Sequence, residues 1–194
     1  MMLKIQLAHP EYTSDVLVDS VRDILDSNTL LALATIRDCG ESHINTAFFC
    51  FDETMRLYFM SHRQAIHSCN IRSNGSVAVA VYDSHQSFMS AKRGLQIFGK
   101  ARAASLVESG EAIRLYLRRF PEFASVLGPA GLAKATLDAQ VFTIRPVAVK
   151  VLDEARFGHH KQVTCTVVVD GYERHAPVPV LEAVTHEVGD SCRN

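Results

Sequence analysis

The stretch of this chain best equipped for chemistry is Ser61-His62-Arg63-Gln64, with His67 close behind. It gathers a hydroxyl, a guanidinium and two imidazoles. An anion such as a phosphate needs those groups, together with free backbone N–H donors. A histidine is only partly charged near neutral pH, so Arg63 is the fixed cation of the group. A second basic cluster, Arg156, His159, His160 and Lys161, surrounds Phe157. It reads either as a loop that closes over a ligand or a partner subunit, or as a solvated loop. His159-His160 has no carboxylate or third ligand at a recognisable spacing, so a metal site is not expected. Gln96 alternates with Leu95 and Ile97 and so shares a polar strand face. The five cysteines, Cys39, Cys50, Cys69, Cys165 and Cys192, form no CxxC pair and read as reduced thiols. No GxSxG, Walker loop or GxGxxG is present, and no nucleophile stands out.

These residues need elements to position them. Ser61 ends an apolar run, 55–61, and the helix-like segment 62–72 follows, stopped by Ser73-Asn74-Gly75. Two strands precede that run, 29–37 and 42–51. Asp38-Cys39-Gly40 turns the first pair, with Gly40 free to take a positive φ, and Asp52-Glu53-Thr54 turns the second. The three strands make an antiparallel meander. Ahead of them, the mostly helical spacing of Val16, Val18, Val21, Ile24 and Leu25 predicts a helix over 14–27, capped by Ser14 and stopped at Asn28. Residues 76–82, SVAVAVY, are a strand, and 83–93 are polar and irregular. Strand 94–103 carries Gly94 and Gly99, which mark a bulge, a bend or a close backbone approach. A helix over 109–120 ends at Pro121, and 123–137 resist assignment. The long strand 139–152 is interrupted by Pro146, which predicts an edge or a bulge there. A loop spans 153–162. Strand 163–169, a turn at Asp170-Gly171, a partner over 172–180 and a frayed tail from 181 complete the chain.

The 194 residues are enough to bury roughly 70% of the unfolded surface without staples. With 47% hydrophobic and 21% charged residues, the composition is that of a globular protein. A formal net charge of −1 argues against a nucleic-acid partner. No signal-like start and no apolar run of spanning length appear, so a cytoplasmic protein without a membrane partner is expected.

Two stretches carry a resemblance. LLALATIRDCGESHINTAFFCFDETMRLYFMSHRQAIHSCNIRSNGSVAVAVYD, followed by GLQIFGKAR, resembles the opening of the pyridoxamine 5′-phosphate oxidase-like flavoproteins. LRRFPEFASVLGPAGLAKATLDAQVFTIRPVAVKVLDEARFGHHKQV is similar to an uncharacterised bacterial branch of that superfamily, through its RRFP and RFGHHK segments. The resemblance implies an α+β chain, mostly β: a split β-barrel of the FMN-binding type, antiparallel and Greek-key, with flanking helices. It places a flavin-binding domain over 1–162 and leaves 163–194 as a C-terminal hairpin and tail. It implies a homodimer with FMN at the interface and hydride or electron transfer through the flavin, which suits a chain with no nucleophile of its own. By the same resemblance Ser61 and His67 hold the phosphate, His67 standing where the family usually has Lys or Arg; Arg63 can substitute as the cation, and His62 joins them in the same cofactor-binding segment. Asn45, Thr46, Ala47 and Phe48 line the ring, and Gln96 donates to it. Related barrels bind a deazaflavin or haem, and a non-catalytic flavin module is the other alternative. The recognition residues for pyridoxamine phosphate are not identifiable, so that substrate is not implied.

Overall fold

Alternation along the strands sorts inside from outside. In the computed structural model, which describes residues 5–126 and 139–169, Val77, Val79 and Val81 are buried, and Ala78 and Ala80 face outward between them. Leu31, Leu33 and Thr35 do the same on the neighbouring strand. The elements run β1 (Ile5–Ala8), α1 (Ser14–Ser27), β2 (Leu30–Ile36), β3 (Ser42–Phe51), β4 (Leu57–His62), α2 (Ile66–Ser73) and β5 (Ser76–Tyr82). They continue with β6 (Arg93–Ala103), α3 (Leu106–Arg119), α4 (Phe123–Val126), β7 (Ala139–Asp153), α5 (Glu154–Phe157) and β8 (Gln162–Val169).

All pairings are antiparallel. The strand order is β1-β8-β7-β4-β3-β2-β5-β6, and β6 pairs back onto β7. Six strands, β2 to β7, therefore close into a barrel, the split-barrel architecture that the sequence predicts. β7 is long enough to serve two neighbours in turn: its first half pairs β4, and its second half pairs β8. One residue of register is lost along β6–β7 between Phe98 and Gly99, opposite Pro146. This is the bulge expected there. A Cβ on Gly99 would lie 2.4 Å from the Arg145 carbonyl oxygen, so only glycine lets the two backbones meet. Gly40 has φ +87°, as its turn requires. Inside the barrel lie Leu31, Leu33, Phe49, Leu57, Phe59 and Phe142, and α1 adds Leu17, Val21, Ile24 and Leu25 to the same core.

Some boundaries differ from expectation. Thr13, not Ser14, occupies the cap position of α1, and the Ser14 hydroxyl instead accepts the Leu7 N–H at 3.0 Å, tying β1 to the helix. The start of the 62–72 helix is a turn closed by Ala65 N–H to the His62 carbonyl, so α2 begins at Ile66. α3 begins before residue 109 because Ser105 and Glu108 form a reciprocal capping box. Glu108 also meets Arg56 at 3.0 Å and Arg102 at 2.7 Å; the Arg102 bond first, then the bonds from Ser105, hold its carboxyl down to about 2. The expected loop 153–162 contains the short helix α5. The strand expected at 163–169 is β8, whose Val163 and Cys165 join the main core. The turn at Asp170-Gly171, its partner strand, the tail with Cys192 and most of 123–137 lie outside the described residues. Cys39, Cys50, Cys69 and Cys165 are free thiols.

Candidate functional site: an open seam between two strands

β3 and β4 begin as neighbours and then part. Their ladder holds only Phe51↔Leu57, Cys50↔Tyr58 and Phe49↔Phe59 beyond the turn. On its other edge β3 pairs β2 continuously, from Leu30↔Phe48 to Ile36↔Ser42. Two hydrogen bonds fix which amides face which way. Phe49 N–H donates to the Thr29 carbonyl at 3.2 Å, and Asp52 N–H donates to the Arg56 carbonyl at 3.1 Å. Backbone groups alternate sides along an antiparallel strand. Odd-numbered residues of β3 therefore bond β2, and the amides of Phe48, Thr46 and Ile44 turn toward β4. At that level β4 pairs only β7, through Met60↔Val141 and Ser61↔Gln140. An unpaired strand edge is left facing a gap.

The gap is a cavity of about 400 Å³. Asn45, Thr46, Ala47 and Phe48 form one wall, and Met60, Ser61 and His67 form another. The third wall is an aromatic stripe at helical spacing: Tyr116 and Phe120, with Phe123 just beyond. The Tyr116 hydroxyl donates to the Phe48 carbonyl at 2.6 Å, and Phe120 meets Phe48 edge-on, with ring centroids 5.6 Å apart. Burial pushes the Tyr116 phenol far up, so it stays a donor at any working pH.

The polar end lies where β4 runs into α2. Ser61 Oγ and His67 Nε2 are 2.5 Å apart. The His67 ring lies near Phe59 and parallel to His43, each with centroids 6.2 Å away. Burial first, then the neighbouring His43, pull His67 below its ordinary value, so its ring is mostly neutral at pH 7. Ala65 precedes α2 and no side chain caps the helix, which leaves the positive end of its dipole open to an anion. Asn45 has an unused acceptor: its Oδ1 is buried without a partner, and its Nδ2 has one marginal contact at 3.5 Å. A buried amide oxygen with no donor signals a missing one.

Six of the sequence-selected residues, Asn45, Thr46, Ala47, Phe48, Ser61 and His67, thus line one cavity. His62 and Arg63 lie beside it, exposed, in the turn before α2. Gln96 is elsewhere: it is exposed on β6, opposite Ala80 and Lys150. Sequence reasoning missed Met60, Glu122 and the stripe Tyr116–Phe120–Phe123. The stripe was visible as aromatic residues four and three positions apart around the RRFP segment.

The basic cluster at 156–161 is engaged elsewhere. Arg156 pairs with Asp23 and with Asp153 (3.4 Å), and Lys161 pairs with Glu11 at 2.8 Å and lies over the Tyr12 ring. Phe157 packs edge-on against Tyr12. The loop clasps β7 and β8 to α1 and the N-terminal segment through Arg156, Phe157 and Lys161, while His159 and His160 stand in solvent. A larger cavity, about 730 Å³, lies across α3, where Arg22, Arg114 and Arg119 meet Asp26, Glu53 and Glu111. Its charges largely answer one another, and it holds none of the selected residues. Among the described residues there is no metal-type cluster, and no helix is long and apolar enough to cross a membrane.

Comparison with known proteins agrees with this geometry. The family model for pyridoxamine 5′-phosphate oxidase matches residues 17–153. No curated protein matches the chain in sequence. A putative pyridoxamine 5′-phosphate oxidase from Listeria innocua is similar in structure, with TM-score 0.56, 20% identity, and coverage of 70% of this chain and 98% of that one. A haem binding protein from Mycobacterium smegmatis gives TM-score 0.60 at 17% identity over 77% of this chain and 57% of that one. A haem storage protein from Vibrio cholerae gives 0.54 at 19% identity over 66% and 88%. The identities place the chain far from each of these, and the breadth of the family match decides the matter: this chain belongs to the pyridoxamine 5′-phosphate oxidase family.

Proposed function

We propose that the seam between β3 and β4 holds flavin mononucleotide, and that the protein is a flavin-dependent oxidoreductase acting as a homodimer. The observation that carries this reading is the pairing of an unladdered strand edge with an uncapped helix start at the two ends of one cavity. A flat ring with polar edges suits the first, and a phosphate suits the second. The donor set fits the group. Ser61, His67 and the α2 N–H groups would take the phosphate, with Arg63 and His62 adding charge from the turn. The Thr46 amide and the orphaned Asn45 Oδ1 would meet polar ring atoms, and the aromatic stripe with Met60 would cover the apolar ring. Bound there, the flavin would supply hydride or electron transfer, which this chain's own side chains do not offer. The residues bind, orient and keep water from the ring.

The dimer is supported by the outer face of β3, β2, β5 and β6. Across it, Ile44, Ala34, Ala78 and Phe98 are in register, beside Thr46, Ala32, Ala80 and Gln96. The small alanines make a flat floor, and Ile44 (69% exposed) and Phe48 (58%) rise at its edge. A face this apolar suits burial against a second copy. Phe48 belongs to both the face and the cavity, so the cavity would open at the interface.

An absorbance spectrum of the purified protein, before and after adding FMN, tests the cofactor. The expected result is a pair of visible flavin bands that follow the protein through gel filtration as a dimer. A Soret band without flavin bands would overturn the reading in favour of haem, the ligand named for two of the structural neighbours. Uptake of a deazaflavin with no uptake of FMN would also overturn it. Bound FMN that neither NADH nor NADPH reduces would leave a flavin-binding module and remove the oxidoreductase.

A further inference from the structure

The seam has a device at its vertex. Cys50↔Tyr58 is the last even-numbered pair of the β3–β4 ladder. By the parity established above, the next rung would be Phe48 with Met60. There the Met60 N–H would donate directly to the Phe48 carbonyl. The ladder stops short of that rung. The Tyr116 hydroxyl lies in its place: it donates to the Phe48 carbonyl at 2.6 Å, and by strand parity the Met60 backbone faces the same gap. The Tyr58 carbonyl is 3.5 Å away on the next residue up the ladder. One side-chain oxygen is spliced into a backbone ladder, where it donates to the β3 carbonyl and stands against β4.

We infer that Tyr116 is the positioning residue that keeps the seam open. An O–H inserted between an N–H and a C=O moves the two strands apart by the width of one oxygen, and from that point they diverge. The Phe48 carbonyl keeps a partner in the phenol, so the split leaves that group no buried orphan. Tyr116 is itself held in place. It is 3% exposed, its ring packs on Phe120 and Phe123 at centroid distances of 5.6 and 5.5 Å, and its helix is anchored by the capping box. The Arg119 guanidinium binds the carbonyls of Leu25 (2.6 Å) and Asn28, which locks the end of the same helix to the end of α1. The RRFP segment thus serves the site indirectly, by fixing the helix that carries the wedge.

The inference deepens the cofactor reading and rests on it for the consequence, though not for the geometry. The test uses the full chain, isotope-labelled, and reads the scalar coupling between Met60 ¹⁵N and Phe48 ¹³C′ across a hydrogen bond. Wild type should show no such coupling. Tyr116→Phe removes the bridging oxygen, so the direct Met60–Phe48 bond should form and the coupling should appear. FMN should then bind at least tenfold more weakly, because the closed rung takes up part of the cavity. A direct coupling in wild type would overturn the inference even if the variant failed to fold. In a folded variant, absence of the coupling, or affinity within twofold of wild type, would overturn it as well. If wild type takes up no FMN, the cofactor reading fails by itself, and the two coupling measurements still decide the wedge.

Discussion

The barrel has a closed side and an open side, and their polar groups are used in opposite ways. On the closed side, β6 runs along β7 for eleven pairs, and the corner at Asp153–Lys161 consumes its own charges. Asp153 is 1% exposed, and one of its oxygens meets Ser20 (2.8 Å), Arg93 and Arg156 (3.4 Å each). On the open side, the β3–β4 ladder ends after three pairs, Asn45 keeps an orphaned oxygen, α2 lacks a cap, and Arg63 is exposed beside it. The closed side has the greater density of charge and keeps unpartnered atoms of its own, Asp153 Oδ1 and Arg93 Nε, whereas the open side's orphan, Asn45 Oδ1, belongs to a residue lining a cavity. An unmet acceptor beside a cavity and an open strand edge, rather than charge count, is what separates the open side from the closed one. It follows that changes on the closed side should reduce stability and spare binding, and changes on the open side should do the reverse.

The sharpest break comes at Gly99. Any side chain there drives a Cβ against the Arg145 carbonyl, and the contact is backbone against backbone at the bulge, so little can yield. Gly99→Val should cost about 3 kcal/mol, the upper end of the usual cost of overpacking in a core. Urea denaturation reads it, and a loss under 1 kcal/mol would mean that the β6–β7 ladder is looser than its register implies. Asp153→Ala comes next. It leaves Ser20 and two guanidinium groups facing a buried space, for a loss of about 2–4 kcal/mol. The protein that remains folded should bind FMN as wild type does. A variant that keeps its stability but loses the ligand would invert the comparison.

How far the sequence foretold this contrast depends on what each feature needs. β3 and β5 were legible to the residue, because alternation and their turns are local properties. The start of α3 was also local, written as Ser105-x-x-Glu108, and was overlooked. The roles of the two basic segments were not legible. Arg156 and Lys161 are matched by Asp23 and Glu11, more than a hundred residues away, and only the fold brings them together. The same holds for Tyr116, whose partner Phe48 lies 68 residues earlier. Gln96 shows the converse limit: alternation assigned it a face of β6 correctly but could not say which strands that face would meet. The six residues found in the cavity came from two contiguous stretches, one on β3 and one spanning the β4–α2 junction. Such contiguity is the condition under which sequence reading locates a site.

On the open side, Ser61→Ala and Arg63→Ala should each weaken FMN binding about tenfold, in line with about 1.5 kcal/mol for a charge-assisted hydrogen bond. Their unfolding midpoints should stay at the wild-type value. Arg63 is exposed, so its effect should fade in high salt, and that of Ser61 should persist. Two variants that bind like wild type at low salt would remove the phosphate from this end of the cavity.

The smallest effect is also the one that separates the two sides most cleanly, because it should have opposite signs in the free and bound protein. In the free protein His67 is held below its ordinary value by burial and by His43. Unfolding therefore takes up a proton, so this residue's contribution to stability is full above pH 6.5 and is lost as the pH falls through its lowered folded value. A phosphate dianion beside the ring reverses the preference, since opposite charge favours the imidazolium. Binding then takes up the proton, and affinity for FMN should rise as the pH falls from 8 to 6.5, on the order of fivefold. Below about pH 6 the phosphate itself gains a proton, and the trend should turn over. His67→Lys should bind more tightly than wild type and lose this slope, because its charge is constant across the range. Titration calorimetry in two buffers of different ionisation enthalpy would count the proton directly. A wild-type protein that binds FMN with no proton uptake between pH 8 and 6.5 would place the phosphate away from His67, and the open side would then owe its anion to Arg63 and the helix end alone.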